Sequence, residues 1–217
     1  MRRRLATVGC VTQRERAEAL LIDLDGVVRV FDPAVAAAIE RRYGLAEGAI
    51  GASALAWPRL RPAIAGEITH ERWLELVAKD LAEAAGGLAK AQAAVAEWAA
   101  YRGEVAPEVL AFVRAMRASG VPVGLATNAT NELDADLDKL GLADEFDVVI
   151  NSSAVGIHKP TREYFAAACA ALRRPPDRCL FVDDTDRHVR GARVAGLSAY
   201  RWNGAADLPY LRAALGR

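Results

Sequence analysis

The chain has 217 residues, 53% of them apolar, and its 28 basic and 28 acidic side chains cancel to a formal net charge of zero. That length and apolar content are enough to bury a full core, in one large domain or in a domain with a sizeable insertion. The balanced charge argues against nucleic acid or an anionic membrane as partner, since both favour a basic excess, and no window approaches the ~20 apolar residues of a membrane span.

The first stretch, MRRRLATVGCV, is basic, but its apolar run is short, holds Thr7 and Gly9, and leads into TQRERAEA. Residues 1–18 read as an N-terminal tail, not an export leader. Cys10, Cys169 and Cys179 are odd in number and lack metal-like spacing, which points to free thiols and a cytoplasmic location. ALLIDL (19–24) is the first apolar run and reads as a buried strand. Residues 32–102 then depart from any strand pattern: they are rich in Ala, Glu, Arg and Trp, and Ile68, Trp73, Leu76, Val77 and Leu81 form a helical stripe. The chain returns near Val105. Pro107 and Gly120 punctuate a helix, and VPVGLAT (121–127) comes next as a strand. After it come the helical NELDADLDKLGL, the strand FDVVI (146–150), the helical TREYFAAACAALRR, the strand RCLFVD (178–183), the helical RHVRGARVAGL and a weaker strand SAYRW (198–202). Such alternation implies an α/β fold with a doubly wound parallel sheet. The core is expected at 19–31 and 103–217, and an inserted α-helical cap at 32–102.

Ligands of an open α/β sheet bind beyond the carboxyl ends of its strands. Here those ends carry Asp23-Leu24-Asp25-Gly26, Thr127-Asn128 and Asp183-Asp184-Thr185, with Lys159 in the connection GIHKPTREYF. Taken singly, each has an ordinary explanation: an Asx turn, a helix N-cap, a solvated loop lysine. Taken together they bring four carboxylates, a hydroxyl, an amide and an ammonium to one edge. Four close carboxylates repel one another unless a cation sits among them, and hard oxygen donors suit Mg²⁺. With an anion held by the lysine and hydroxyl, this is a phosphoryl-transfer site in outline.

LIDLDGV, GLATNAT, GIHKPTREYF and LFVDDTDRHVRGARVAGL resemble, in order, four motifs of the haloacid dehalogenase superfamily with a helical cap after the first strand; the match runs from Ala19 to Trp202. The resemblance implies a Rossmann-like core and concrete roles. Asp23 is the nucleophile that forms an aspartyl-phosphate. Asp25 protonates the leaving alkoxide and then deprotonates water. Thr127, Lys159 and the Asn128 backbone N–H hold phosphoryl oxygens. Asp23, the Asp25 carbonyl and Asp184 bind Mg²⁺, with Asp183 in support. An acid at Asp25 favours a phosphomonoester over a halide, which leaves without a proton. The implied activity is hydrolysis of a small phosphorylated metabolite, with a phosphomutase as the alternative. Departures from the family pattern are Val27-Val28-Arg29 after the glycine, with Arg29 expected towards the entrance, Thr161 after Pro160, and His188 where Asn is common.

A non-catalytic module and a regulatory phosphoacceptor domain are readings of another class. Receiver domains place their acidic pair near the first strand, whereas here a pair falls at 183–184; a scaffold has no need for the full set. Residues 32–102 are expected to act as a lid, hinged near Phe31-Asp32-Pro33 and Tyr101-Arg102-Gly103. Arg59, Arg61 and His70 are its first candidates for substrate specificity, and Trp57 and Trp73 are candidate apolar walls. Substrate identity and oligomeric state are not encoded in any motif.

Overall fold

The computed structural model describes residues 16–217. Residues 1–15 of the expected tail, with Cys10, lie outside the described residues. The tail ends earlier than residue 18, because the Ala17 and Glu18 N–H groups already donate to the Ala214 and Arg178 carbonyls at 3.2 and 2.8 Å.

The chain enters through β1 (Ala19–Ile22) and a short β2 (Arg29–Val30). Five helices come next: α1 (Pro33–Tyr43), α2 (Ala49–Ala54), α3 (Trp57–Ile64), α4 (His70–Ala85) and α5 (Leu88–Ala100). The chain returns through β3 (Glu104–Val105), which pairs antiparallel with β2. The remainder alternates as α6 (Pro107–Ala118), β4 (Val123–Thr127), α7 (Leu133–Leu140), β5 (Val148–Asn151), α8 (Ser152–Val155), α9 (Arg162–Ala171), β6 (Cys179–Asp183), α10 (Asp186–Val194), β7 (Ser198–Arg201) and α11 (Leu208–Ala214). The main sheet is parallel, in the order β5-β4-β1-β6-β7.

β1 is buried along its whole length because helices cover both sheet faces. The two-residue period divides it. Leu20 and Ile22 join Phe112, Val123, Leu125 and Leu137 on one face. Ala19 and Leu21 join Tyr164, Phe165 and Phe181 on the other. The helices between β2 and β3 bury a third apolar cluster, drawn only from residues 39–95. Local chemistry sets their ends. Asp32 caps α1 ahead of Pro33, Thr69 caps α4 by accepting from the Arg72 N–H, and Gly44 and Gly86 close the two helices in the left-handed conformation. Trp73 lies in this cluster with its indole N–H on the Ala54 carbonyl, 3.1 Å away, so it is core and not an exposed wall. Cys169 and Cys179 are buried free thiols. Among the described residues no helix is long and apolar enough to cross a membrane.

The helical insertion rests on the core through His70. Its N–H donates to Asn131 Oδ1 at 2.8 Å, and its Nδ1 lies 3.1 Å from Thr130 Oγ1. Burial, joined by the positive charge of Arg102, pulls the His70 pKa below its ordinary value against the opposing pull of Glu132 and Asp136. The unfolded chain therefore takes up this proton at higher pH than the folded one. The resulting stability is complete above about pH 6.5 and is lost as pH falls below it. Between about pH 7.5 and about pH 5.5 the thermal midpoint of the wild type should fall more steeply than that of His70→Asn. Parallel curves would place the pH dependence on other groups.

Candidate active site

β1 ends at the switch point of the sheet, where its neighbours β4 and β6 run to either side. In register Ile22 faces Leu125 and Val182, and the Asp23 N–H donates to the Val182 carbonyl at 2.9 Å. The next residues on the three strands are Asp23, Ala126-Thr127 and Asp183, so parallel pairing alone brings Asp23 and Asp183 side by side.

Two buried carboxylates so placed need a counter-charge, and Lys159 supplies it. Its Nζ lies 2.8 Å from Asp23 Oδ1 and 2.7 Å from Asp183 Oδ2, with the whole side chain sealed from solvent. It also stands 5.5 Å from the centre of the Phe181 ring. Asn128 fixes the loop that carries it: the Lys159 N–H donates to Asn128 Oδ1 at 2.8 Å, and Asn128 Nδ2 donates to the Lys159 carbonyl at 3.1 Å. Thr161, one of the departures from the family pattern, caps α9 by accepting from the Tyr164 N–H.

The electrostatics reflect this geometry. Burial pushes the Asp23 carboxyl well up; Lys159 opposes the shift, and Asp183 adds to it. Burial also opposes ionisation of Asp183, yet the hydrogen bond from His188 and the charge on Lys159 hold it well below the usual carboxylate range. Desolvation would lower Lys159, but Asp23 and Asp183 outweigh it and keep the ammonium charged. His188 Nδ1 lies 3.1 Å from both Asp183 oxygens and therefore carries the hydrogen. With the Thr185 N–H on Oδ1 at 2.8 Å, both oxygens of Asp183 are fully used. Asp183 is thus the counter-charge of Lys159.

Asp184 is placed differently. Gly26 adopts φ +78°, and a Cβ there would fall 2.2 Å from Asp184 Oδ2. Only glycine lets the Asp184 carboxylate lie against the turn after Asp25. Asp184 is thereby set beside the main chain that follows Asp25, at the sheet edge that carries Asp23, so the edge offers hard oxygens from all three residues. Lys159 pairs with Asp23 and Asp183, whereas among the described residues the Asp184 carboxylate accepts only a neutral hydrogen bond, from Thr185 Oγ1 at 3.1 Å. This donor set fits Mg²⁺. A grouping of Asp23, Asp183 and His188 also brings its potential ligand atoms within 4.8 Å of one another, but its nitrogen is a donor to Asp183 and its chemistry suits Mg²⁺ poorly.

A family model for haloacid dehalogenase-like hydrolases matches residues 17–196. The chain belongs to that family. Among curated relatives, a phosphoserine phosphatase from Thermus thermophilus is 38% identical over 95 residues, which are 43% of this chain and 38% of that protein; the chain spans less than half the length of the first curated relatives it matches. Among solved structures, a family enzyme from Bacteroides thetaiotaomicron, in complex with magnesium and inorganic phosphate, aligns with a TM-score of 0.66 at 19% identity, covering 86% of this chain and 94% of that one. An L-2-haloacid dehalogenase from Xanthobacter autotrophicus, with chloropropionic acid covalently bound, aligns at 0.63 and 22% identity, covering 85% and 77%. Both likenesses speak to the fold.

Within this family site, the sequence-derived residues fall into two groups. Asp23, Asp25, Thr127, Asn128, Lys159, Asp183 and Asp184 converge at the strand ends. Arg59 and Arg61 do not join them: Arg59 grips Asp80 at 2.6 and 2.8 Å, and Arg61 grips Glu67 at 2.7 and 2.8 Å, both inside the insertion. His70 lies on the seam with the core, its Nδ1 beside Thr130 Oγ1 and its buried Nε2 without a hydrogen-bond partner among the described residues. Trp57 is an insertion residue that reaches the segments next to Lys159 and Asp184. Its ring meets His158 edge-on at 5.4 Å, and the Arg187 guanidinium lies 5.3 Å from its centre. His158 precedes Lys159, and Arg187, in the first turn of α10, lies three residues past Asp184, so Trp57 bridges the two segments. Arg29 also departs from expectation: it is buried and holds Asp25 instead of facing the entrance. Nothing local in the sequence signals the Asn128 clamp or the Arg29 contact.

Lys159→Met keeps most of the packed stem and removes the charge. In chelator, urea unfolding should show a loss of about 3–5 kcal/mol, the usual cost of orphaning buried ions. Adding Asp183→Asn to that variant should cost less than it does in the wild type. A loss under ~1 kcal/mol would contradict the counter-charge role.

Proposed function

We propose that the protein is a Mg²⁺-dependent phosphomonoester hydrolase acting on a small phosphorylated metabolite through an aspartyl-phosphate on Asp23. The observation that carries this reading is the state of Asp23. Its Oδ1 is taken by Lys159 and by the Leu24 N–H at 2.7 Å, while no hydrogen bond among the described residues is made to Oδ2. One oxygen is anchored and the other is left for attack.

Oδ2 of Asp23 attacks phosphorus in line with the leaving oxygen. Lys159, the Thr127 hydroxyl and the Asn128 N–H hold the equatorial oxygens as charge grows on them. Asp25 gives its proton to the departing alkoxide and later takes one from the water that cleaves the acyl phosphate. Asp23, the Asp25 carbonyl and Asp184 would hold Mg²⁺, which would supply positive charge against the carboxylate and the phosphate. The acid at Asp25 favours an ester oxygen over a halide as leaving group, and the phosphatases among the curated relatives support the same class. The insertion screens the site as a cap, which limits the substrate to small molecules.

The test is phosphate release from a panel of phosphorylated metabolites. Asp23→Asn should lower kcat by at least ~10³-fold, and EDTA should abolish activity that Mg²⁺ then restores. Near-wild-type turnover by the variant, or full activity after exhaustive chelation, would end this assignment.

Specificity on the insertion side is assigned to Trp57, in place of Arg59 and Arg61. Trp57→Ala should lower kcat/KM for the preferred metabolite by about 10-fold or more and change it little for p-nitrophenyl phosphate, because only the former uses remote binding energy. Equal losses on both would make Trp57 a structural contact between insertion and core.

A further inference from the structure

Asp25 stands outside the rigid part of the site. It lies beyond β1, on the turn in which the Val27, Val28 and Arg29 N–H groups all converge on the Leu24 carbonyl. Its side chain is 46% exposed, against 8% for Asp23. Neither the sheet nor Lys159 orients it. A residue that must hand a proton to a leaving oxygen needs an orientation fixed by something.

Arg29 provides the contact. Its Nε and Nη2 donate to Asp25 Oδ1 and Oδ2 at 2.6 and 3.1 Å, a two-point fork that sets the plane of the carboxylate. The arginine is itself buried and fixed. Nη1 donates to Asp136 Oδ2 at 2.9 Å, and the guanidinium lies 5.1 Å from the centre of the Phe31 ring. Asp136, on α7 of the core, also lies 2.9 Å from Arg102 Nη1 through its other oxygen, an ion pair without hydrogen-bond alignment. Arg29 belongs to β2, the strand leaving for the insertion, and Arg102 stands just before β3, the strand returning from it. A Cβ on Gly103 would lie 3.0 Å from Arg29 Cγ and 2.7 Å from the Val30 carbonyl, so glycine there leaves room for the arginine stem.

We propose that Arg29 is a positioning residue for Asp25, anchored through Asp136 to Arg102, so that both crossing strands and one core helix set the orientation of the group that handles the leaving-group proton. This role presupposes the phosphatase reading of the site and adds to it a fixed support for its acid–base residue. Arg29 touches neither Asp23 nor Lys159 and acts through Asp25. Its removal should therefore matter in proportion to how much the leaving group needs a proton.

The experiment compares kcat/KM for phenyl phosphate, whose leaving oxygen needs protonation, with 2,4-dinitrophenyl phosphate, whose does not. The ratio is taken within one preparation, so the fraction of folded enzyme cancels. Asp25→Asn is the reference and should depress the ratio by ~10²-fold or more, the usual scale of general acid catalysis. Arg29→Gln should depress it by at least ~10-fold. Arg29→Lys, which keeps the charge and loses the fork, should fail to restore it. Asp136→Asn, which leaves Arg29 in place with a weaker anchor, should shift the ratio in the same direction by less. An unchanged or raised ratio in Arg29→Gln, with Asp25→Asn behaving as stated, overturns the positioning role and leaves the phosphatase reading intact. An unchanged ratio in Asp25→Asn overturns the acid–base reading of Asp25 and the role of Arg29 with it.

Discussion

The placement of one ammonium between two buried carboxylates governs the rest of this site. Asp23 and Asp183 are neighbours because β1 and β6 are paired in parallel and both strands end at the same level. Without Lys159 that arrangement would be strongly unfavourable, since each ion has left water for a sheet edge covered by apolar helices. Lys159 reaches them from a connection outside the sheet, and Asn128 pins that connection to the end of β4. His188 and the Thr185 N–H complete the shell of Asp183. The result is a set of polar groups in which Asp23 keeps one oxygen uncommitted. Residues from four separate segments are held to one another by charge and not by packing alone.

The two aspartates of the first strand are governed by different parts of the molecule. Asp23 inherits its position from the sheet, through its N–H bond to the Val182 carbonyl. Asp25 inherits its position from the crossing between core and insertion, through Arg29, Asp136 and Arg102. The helical insertion is thereby linked to the core at places of different character, among them the paired crossing strands, the His70 seam with Thr130 and Asn131, the close approach of Gly66 to the Ser153 carbonyl, and the Trp57 contact with His158 and Arg187. The last lies against the segments next to Lys159 and Asp184.

Much of this was legible in the chain. The runs at 19–24, 121–127, 178–183 and 198–202 each contain a strand of the sheet, shortened by up to two residues at an end, and the run at 146–150 overlaps β5, which extends one residue past it to Asn151, because solid apolar stretches between helical patterns have few other ways to be buried. The site residues at strand ends were legible for the same reason: once the strands are known, parallel pairing delivers their carboxyl ends to one edge. Less legible were the two-residue strands β2 and β3, the short α8 and the C-terminal α11, whose lengths give periodicity little to act on. The arginines at 59 and 61 looked available because exposed cations carry no mark of their partners, and Asp80 and Glu67 had taken them.

The sequence by itself determined the α/β class, the interruption after the first strand and the identities of the charged groups at the strand ends. These depend on local hydrophobic period and on short motifs, which any few consecutive residues express. Only the tertiary structure decided how the charges divide: Asp183 to Lys159 and His188, Asp184 to the turn at Gly26, Asp25 to Arg29, and Arg29 to an aspartate 107 residues further along. Every Asp and Arg offers the same fork or the same two oxygens whatever its neighbours in sequence. Which of them meet is settled by how helices and strands pack, at separations over which no sequence pattern carries information.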